Sequence, residues 1–254
     1  MEQEALFEVI KVTKQFTRQG GILKATQETV QALKGVDFSV YEFETLGIVG
    51  ESGSGKTTLA KIIARLIEPS TGEVAFNPHT ISNFRKSVQM IFQNPYNSLN
   101  PKMRVMEIIA EPLEIHRLCT RRQLKDKVVE LLGLVGIADD ALGRRPAEFS
   151  GGQRQRICIA RALACAPRLL ILDEPISSLD LIIQAQMLEL FIDLKQKLCL
   201  TYVFISHNLA VIKHIADNLI VMHDGQIVEK GRCRDIFGHP TAAYTKMLLH
   251  TAKS

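Results

Sequence analysis

The chain has 254 residues, of which 46% are hydrophobic, and its formal net charge is +4. A chain of this length can bury one large hydrophobic core or two modest ones. Its Lys and Arg residues are scattered rather than gathered in a tract, so the charge does not favour nucleic-acid binding. No apolar run is long enough for a transmembrane helix, and the N-terminus lacks the pattern of a signal peptide. We therefore expect a protein that is made and kept in the cytoplasm.

Five cysteines are spread through the chain without a C-x-x-C pair. An odd number of unpaired cysteines predicts neither a disulfide framework nor a zinc site. We expect reduced thiols at Cys119, Cys158, Cys165, Cys199 and Cys233.

A glycine-rich segment follows the apolar run 45–49 and precedes the helical run 59–64. Its sequence, GESGSGKTT, fits the phosphate-binding pattern G-x-x-x-x-G-K-[ST] in the expected strand–loop–helix context. Its glycines let backbone N–H groups surround an anion, and the helix directs its positive dipole end at that anion. Lys56 would reach the outer phosphates, and the Thr57 hydroxyl would coordinate Mg²⁺. The predicted nucleoside triphosphate site consists of Gly50, Glu51, Ser52, Gly53, Ser54, Gly55, Lys56, Thr57 and Thr58.

The middle of the chain is predicted to be mainly helical. After a strand-like run at 88–92, the segments 106–116 and 120–135 both have helical periodicity. Thr120 to Gln123 form a predicted capping box. The second helix is expected to present one apolar face, made by Leu124, Val128, Leu131, Leu132 and Val135.

A polar, glycine-bearing helix start comes next, with the sequence Ser150-Gly151-Gly152-Gln153. Ser150 is the predicted N-cap, and the two glycines leave the backbone bare. Because a helix N-terminus has exposed N–H groups, it can form a second anion site. The alternative is a capped helix without a ligand.

Two further apolar runs end in polar side chains. Asp173 and Glu174 follow the run 169–172, and Pro175 ends that strand at once. This pattern predicts a buried parallel strand whose carboxylates lie at the ligand-binding edge of an α/β sheet. The alternative is a pair of solvated acids. The run 201–205 likewise leads to Ser206 and His207.

Strand-like and helical runs alternate along the chain, which predicts a mostly parallel α/β sheet. Near the end, residues 223–226 form a predicted hairpin turn. A short amphipathic helix follows, with Tyr244, Met247 and Leu248 expected on one face. Taken alone, that face indicates packing only.

The chain resembles the ATP-binding cassette (ABC) ATPase family. The resemblance is carried, in chain order, by the glycine-rich loop, the Phe149–Gln153 segment, the Leu169–Glu174 strand and His207. The resemblance covers nearly the whole chain. It implies an α/β P-loop NTPase core with a mostly parallel sheet, an antiparallel β portion and an inserted helical subdomain. It also implies one ABC ATPase domain over residues 1–254, with 1–92 and 159–254 as the core and about 93–158 as the helical signature subdomain.

The resemblance implies ATP and Mg²⁺ as cofactors and assigns a role to each motif. Glu174 and His207 would be catalytic, the first by orienting the attacking water and the second by contacting the γ-phosphate. Phe16 would stack on adenine. The ligands of Mg²⁺ would be Thr57, Gln93 and Asp173. The signature residues Ser150, Gly151, Gly152 and Gln153 would bind the ATP of a partner cassette, and the D-loop would comprise Ser178, Leu179 and Asp180. The chain departs from the family pattern at Phe149, Ile176 and Asn208.

Segments 93–103, 107–113, 184–186 and 239–249 resemble the oligopeptide, dipeptide and nickel uptake branch of the family. Some members carry a cysteine-bearing C-terminal extension. The sequence to Ser254 has none, so we expect the shorter F-type partner of an ATPase pair.

The resulting hypothesis is an ATPase subunit that energises uptake of peptides, nickel or a related solute. Expected partners are a second ABC ATPase subunit in a hetero- or homodimer, two transmembrane permease subunits and, through them, an extracytoplasmic solute-binding protein, with no nucleic acid. The chain would lie peripherally on the cytoplasmic face of the membrane. Alternatives are the ATPase of an exporter, a non-transport ABC ATPase in DNA maintenance or translation, and a regulatory cassette without turnover.

The segment Phe92 to Met103 is expected to dock on the permease through Tyr96, Leu99 and Met103. Gln93 would sense Mg²⁺ and the γ-phosphate at the hinge of the helical subdomain. The alternative is that these apolar side chains pack inside that subdomain.

Overall fold

A computed structural model describes residues 4–18, 28–93 and 98–251 of the chain. The chain divides into two compact units, the first made of residues 1–80 and 203–254 and the second of residues 81–202. The predicted division into a core and a helical subdomain, with boundaries near residues 93 and 158, stays a prediction. Each unit is described separately below.

The first unit contains an antiparallel sheet of three strands. They are β1 (Ala5–Arg18), β2 (Glu28–Tyr41) and β4 (Thr71–Phe76), in the order β2-β1-β4. One face is closed by apolar side chains, since the Phe7 ring lies 6.3 Å from that of Phe38 and 5.2 Å from that of Phe76. The predicted antiparallel β portion is therefore confirmed.

Parallel pairing begins with β3 (Thr45–Val49), which is buried along its whole length. It pairs in parallel with β8 (Asn218–His223), and β8 pairs antiparallel with β9 (Gln226–Arg232). On the other side of β3 lie residues 203–205 of β7 (Thr201–Ile205). A strand buried on both faces needs a nearly continuous apolar run, which residues 46–49 provide after the buried Thr45.

The β8–β9 connection is the predicted hairpin. Asp224 and Gly225 occupy its two turn positions with φ of 45° and 76°. Two positive φ values define a type I′ turn, whose twist matches that of the flanking strands, and Asp-Gly is a favoured sequence for it.

The helices of the first unit are α1 (Lys56–Ile63), α7 (Leu209–Ile215), α8 (Cys233–Gly238) and α9 (Ala243–Thr251). The predicted apolar face of α9 is wrong in one respect. Thr245 and Leu249 are buried, whereas Met247 is 52% exposed. Because residues four apart share a helix face, the buried stripe runs through 245 and 249, and Met247 falls outside it.

The second unit contains β5 (Val88–Ile91) and β6 (Leu169–Asp173), which pair in parallel, and the first two residues of β7 beside β6. Its helices are α2 (Phe84–Ser87), α3 (Val105–Ile115), α4 (Leu124–Leu134), α5 (Gly151–Leu163) and α6 (Leu181–Leu198). Short 3-10 helices span Asp139–Gly143 and Pro146–Glu148.

Helices α3, α4 and α5 pack against one another, as the helical texture of the sequence predicts. The sequence predicted five residues on the apolar face of α4. Four of them are buried, namely Val128, Leu131, Leu132 and Val135. The predicted start of that helix is wrong, because α4 begins only at Leu124. Half of the capping box forms: Gln123 Oε1 accepts from the Thr120 backbone N–H at 3.1 Å, but the Thr120 hydroxyl donates to the same oxygen at 2.7 Å.

All five cysteines are free thiols. Cys158 and Cys233 are buried, and burial is the main cause that raises the pKa of each to about 11. These thiols therefore stay protonated and unreactive at neutral pH. No helix in the described part of the chain combines the length and apolar character required to cross a bilayer.

Candidate nucleotide-binding site

The phosphate loop joins β3 to α1 and is packed closely against its neighbours. Gly50 has φ of +151°, and a Cβ added there would lie 2.2 Å from the Met222 carbonyl oxygen of β8. Gly55 has φ of +99°, and its Cβ would lie 2.5 Å from the Ala32 carbonyl oxygen of β2. A side chain at either position would displace backbone, so the loop path depends on glycine.

Lys56 is the first residue of α1, but its side chain extends back into the loop and is only 6% exposed. Its ammonium donates hydrogen bonds to the carbonyl oxygens of Gly50 at 2.8 Å and Glu51 at 2.6 Å, and to Ser54 Oγ at 3.3 Å. A buried ammonium is costly unless it is hydrogen-bonded. The loop thus holds a positive charge at the point where an anion would enter, next to the N-terminus of α1.

The loop is also held from outside, by residues that the sequence did not single out for this role. The Gly225 N–H of the hairpin donates to the Ser54 carbonyl oxygen at 3.2 Å. The Tyr244 hydroxyl accepts from the Glu51 N–H at 3.2 Å. The sequence predicted Tyr244 only as a packing residue, since no local pattern links α9 to the loop.

Phe16, the predicted adenine platform, lies on β1 and is 44% exposed. Its cross-strand partner on β2 is Val30, which is 55% exposed, and Lys14 Nζ lies 5.2 Å from the ring centroid. An aromatic ring outside the core, with an apolar neighbour and a nearby cation, is suited to stacking on a base. The stacking role itself stays a prediction.

His207 follows β7 in the first unit, as predicted from the apolar run before it, and its side chain is exposed. The neighbouring Ser206 is buried, and its N–H donates to the Ile48 carbonyl oxygen at 3.2 Å. Asn208 then caps α7, because its side-chain oxygen accepts from the N–H groups of Ala210 and Val211. An acid at this position could accept the same bonds, so Asn208 keeps the cap without the charge.

The predicted carboxylates lie in the second unit, at the end of β6. Asp173 is the last residue of that strand and is 4% exposed. Glu174 has a left-handed backbone with φ of 47°, which a non-glycine residue adopts only at a cost. The Gln93 side-chain amide, which follows β5, donates to Glu174 Oε2 at 2.9 Å. The structure therefore brings together Gln93 and Glu174, two predicted site residues that are 81 positions apart.

Ser150 caps the signature helix α5, as predicted. Its hydroxyl accepts from the Gln153 N–H at 3.3 Å, and the Gln153 side chain accepts from the Ser150 N–H at 3.0 Å. Gly152 lies close to α6, since a Cβ added there would be 2.7 Å from Ile183 Cγ2. Glycine at this position therefore lets the start of α5 approach α6.

The predicted D-loop residues precede α6. Asp180 is the N-cap of that helix, and its carboxylate accepts from the Ile183 N–H at 3.0 Å. The first two residues of α6, Leu181 and Ile182, are 79% and 73% exposed. These are the most exposed large apolar side chains in the described part of the chain.

The segment expected to contact a permease is described only in part. Tyr96 lies outside the described residues. Leu99 is 3% exposed, and the neighbouring Ser98 carbonyl oxygen accepts from Arg161 of α5 at 2.6 Å. These observations favour the alternative for Leu99, namely packing inside the second unit. Met103 is half-buried and Phe92 is 38% exposed.

A parallel α/β sheet with a glycine-rich loop between β3 and α1 around a buried lysine defines a P-loop nucleotide-binding protein. Comparison with known proteins narrows this class. The family model for the ABC transporter family matches residues 33–177. The oligopeptide transport ATP-binding protein OppF of Streptococcus mutans is 49% identical over 235 residues, which are 89% of this chain and 76% of that protein.

Two other relatives are similar over nearly as much or more of the chain. The oligopeptide transport ATP-binding protein AppF of Bacillus subtilis is 44% identical over 97% of this chain and 78% of that protein. The dipeptide transport ATP-binding protein DppF of Lactococcus lactis is 47% identical over 88% of this chain and 75% of that protein. The chain belongs to the ABC transporter family, as an ATP-binding cassette ATPase similar to these oligopeptide and dipeptide transport proteins. The predicted family is thereby confirmed.

Solved structures support the same fold. CbiO1 from Clostridium perfringens, part of an ABC transporter complex, has a TM-score of 0.77 at 23% identity, over 93% of this chain and 92% of that one. The ATP-binding cassette MJ0796, solved as a dimer bound to ADP and Pi, has a TM-score of 0.76 at 27% identity, over 90% of this chain and 99% of that one. The predicted fold class is confirmed.

Proposed function

We propose that the chain binds and hydrolyses ATP as a subunit of an importer for peptides. The observation that carries this proposal is the buried Lys56 ammonium at the centre of the phosphate loop. The names of the relatives favour oligopeptides or dipeptides over nickel as the solute. They also favour transport over the alternatives in DNA maintenance and translation.

Mg²⁺ would neutralise phosphate charge, and the side chains fit its preference for oxygen ligands. Asp173 supplies a carboxylate at the end of β6, and Thr57 supplies a hydroxyl in the first turn of α1. No cluster of three or more His, Cys, Asp or Glu side chains suited to a metal occurs among the residues that the structure describes. Mg²⁺ in ATPases is commonly bound by one or two protein side chains together with substrate phosphates and water.

Glu174 is the proposed base that orients and polarises the attacking water. Gln93 supports this role, because its amide donates a hydrogen bond to one carboxylate oxygen of Glu174 and so helps to orient the carboxylate. His207 would contact the γ-phosphate from the end of β7. Phosphoryl transfer depends chiefly on such positioning and on charge stabilisation.

The proposed assembly contains two cassettes, two permease subunits and an extracytoplasmic solute-binding protein, with the cassettes on the cytoplasmic side of the membrane. Phe92 and Met103 remain candidates for the permease contact, while Leu99 is too buried to serve. The decisive experiment is uptake of a labelled oligopeptide by a strain that lacks this chain. Wild-type protein should restore uptake and the Glu174→Gln variant should not. Equal restoration of uptake by both proteins would show that ATP hydrolysis by this chain does not drive import.

A two-cassette assembly also predicts an ATP-dependent contact between the signature of one cassette and the phosphate loop of the other. Ser52 and Gln153 are both exposed, so each can carry an introduced cysteine. In a Cys199→Ser background, which removes the exposed native thiol, Ser52→Cys and Gln153→Cys should cross-link across the dimer when ATP and Glu174→Gln are present.

The matched control for this cross-link is Met247→Cys, an exposed position on α9. It should not form an ATP-dependent link with Ser52→Cys. Full ATP turnover by a strictly monomeric sample would contradict the two-cassette assembly.

A further inference from the structure

Helix α9 contacts the phosphate loop through the side chain of Tyr244. The Tyr244 hydroxyl accepts a hydrogen bond from the Glu51 N–H at 3.2 Å. The ring is stacked on that of His223, with centroids 4.0 Å apart and an interplanar angle of 29°. Burial is the main cause that raises the pKa of Tyr244, so the hydroxyl is neutral at physiological pH.

The position of Tyr244 is fixed by the segment before it. Glu229 on β9 accepts three hydrogen bonds from that segment: from the Thr241 N–H at 2.7 Å, the Thr241 hydroxyl at 2.8 Å and the Ala242 N–H at 3.1 Å. Partial burial opposes ionisation of Glu229, but these bonds outweigh it and lower the pKa of the carboxyl. The ionised carboxylate therefore anchors the start of α9 to the sheet.

The β8–β9 hairpin, which carries His223, supports the phosphate loop at a second point. His223 ends β8, and Gly225 in the following turn donates its N–H to the Ser54 carbonyl oxygen at 3.2 Å. Tyr244 and Gly225 thus hold the loop on the two sides of its central turn, at Glu51 and at Ser54. Between these points lies the Lys56 ammonium, which is bonded to the Glu51 carbonyl oxygen at 2.6 Å and to Ser54 Oγ.

We propose that Tyr244 is a positioning residue for the phosphate loop, so that nucleotide affinity depends on how α9 is docked. The hydroxyl holds Glu51, and Glu51 in turn holds the Lys56 ammonium in the centre of the loop. Tyr244 acts through Glu51 and needs no contact with the nucleotide. This inference rests on the proposed ATP-binding function of the loop.

A role limited to stability would give a different result. If Tyr244 only anchors α9, removing its hydroxyl would lower the melting temperature and leave nucleotide affinity unchanged. If it positions the loop, affinity would fall while the fold persists, because the ring stack on His223 and the Glu229 bonds remain.

Tyr244→Phe is the test, since it removes the hydroxyl and keeps the ring. Titration of the full chain with a fluorescent ATP analogue and Mg²⁺ should show a Kd raised about three- to tenfold, the loss expected for one neutral hydrogen bond. In the assembled transporter, KM for ATP should rise by a similar factor while kcat stays within about twofold. The matched control is Met247→Ala on the same helix, which should leave the Kd unchanged.

A second variant tests the path from the sheet to the loop. Glu229→Ala releases the segment that places Tyr244, so it should also raise the Kd, and the double variant should show much less than the product of the two effects. Independent, multiplicative effects would overturn the proposal, and so would an unchanged Kd in Tyr244→Phe. Lys56→Ala distinguishes failure of the positioning role from failure of the proposed ATP site. If Lys56→Ala abolishes binding while Tyr244→Phe has no effect, only the positioning role fails. If Lys56→Ala also has no effect, the proposed ATP site itself is wrong.

Discussion

Replacing Lys56 with alanine is expected to reduce ATP affinity about a hundredfold or more. The ammonium is 6% exposed and lies within the phosphate loop, so its charge acts in a poorly solvated place. Each charge-assisted hydrogen bond to a phosphate oxygen contributes about 1.5–3 kcal/mol, and tenfold in affinity corresponds to about 1.4 kcal/mol. The substitution also removes the donor to the carbonyl oxygens of Gly50 and Glu51, which should loosen the loop.

Titration with a fluorescent ATP analogue measures this effect directly. Lys61→Ala is the matched control, because Lys61 lies in the last turn of the same helix, and it should bind the nucleotide normally. Circular dichroism of both variants would confirm that the fold is retained. Unchanged affinity in Lys56→Ala would mean that the loop is not the nucleotide site.

Glu174→Gln is expected to bind ATP normally and to hydrolyse it about 10²- to 10⁴-fold more slowly, the usual loss when a general base is removed. The glutamine side-chain oxygen can still accept the hydrogen bond from the Gln93 amide, which lies 2.9 Å from Glu174 Oε2. The geometry of the site is therefore kept, and only the ability to accept a proton is lost.

Phosphate release in the steady state, measured alongside ATP affinity, separates binding from chemistry. Glu189→Gln, an exposed acid on α6, is the control and should hydrolyse ATP at the wild-type rate. Turnover near the wild-type rate in Glu174→Gln would mean that another residue acts as the base, and His207 would be the first candidate to test.

The sequence predicted best those features that depend on local patterns. The apolar run at 45–49 predicted the strand before the phosphate loop, and Asp-Gly at 224–225 predicted the hairpin turn. Ser150 and Gln153 were recognisable as a helix start because their reciprocal bonds span only three residues. In each case the interactions that fix the structure lie within a few positions of one another.

Features that depend on tertiary packing were predicted less well. The buried side of α9 passes through Thr245 rather than Met247, because the surface it packs against decides which residues are covered. The bond between Glu51 and Tyr244 joins residues 193 positions apart, and no periodicity could reveal it. Gln93 was predicted as a site residue from the family resemblance and Glu174 from its place after a strand, but their direct bond required the parallel pairing of β5 with β6.

If ATP hydrolysis by this chain drives peptide import, the two processes must occur together. Simultaneous ATP hydrolysis and uptake of a labelled oligopeptide should be measured in proteoliposomes that contain this chain and the proposed partner ATPase, permease subunits and binding protein. With wild-type chain and ATP on the side that carries the cassettes, uptake should proceed in proportion to hydrolysis, and Glu174→Gln should stop both. Uptake at the wild-type rate with the Glu174→Gln variant, or net movement of peptide in the opposite direction, would contradict this coupling.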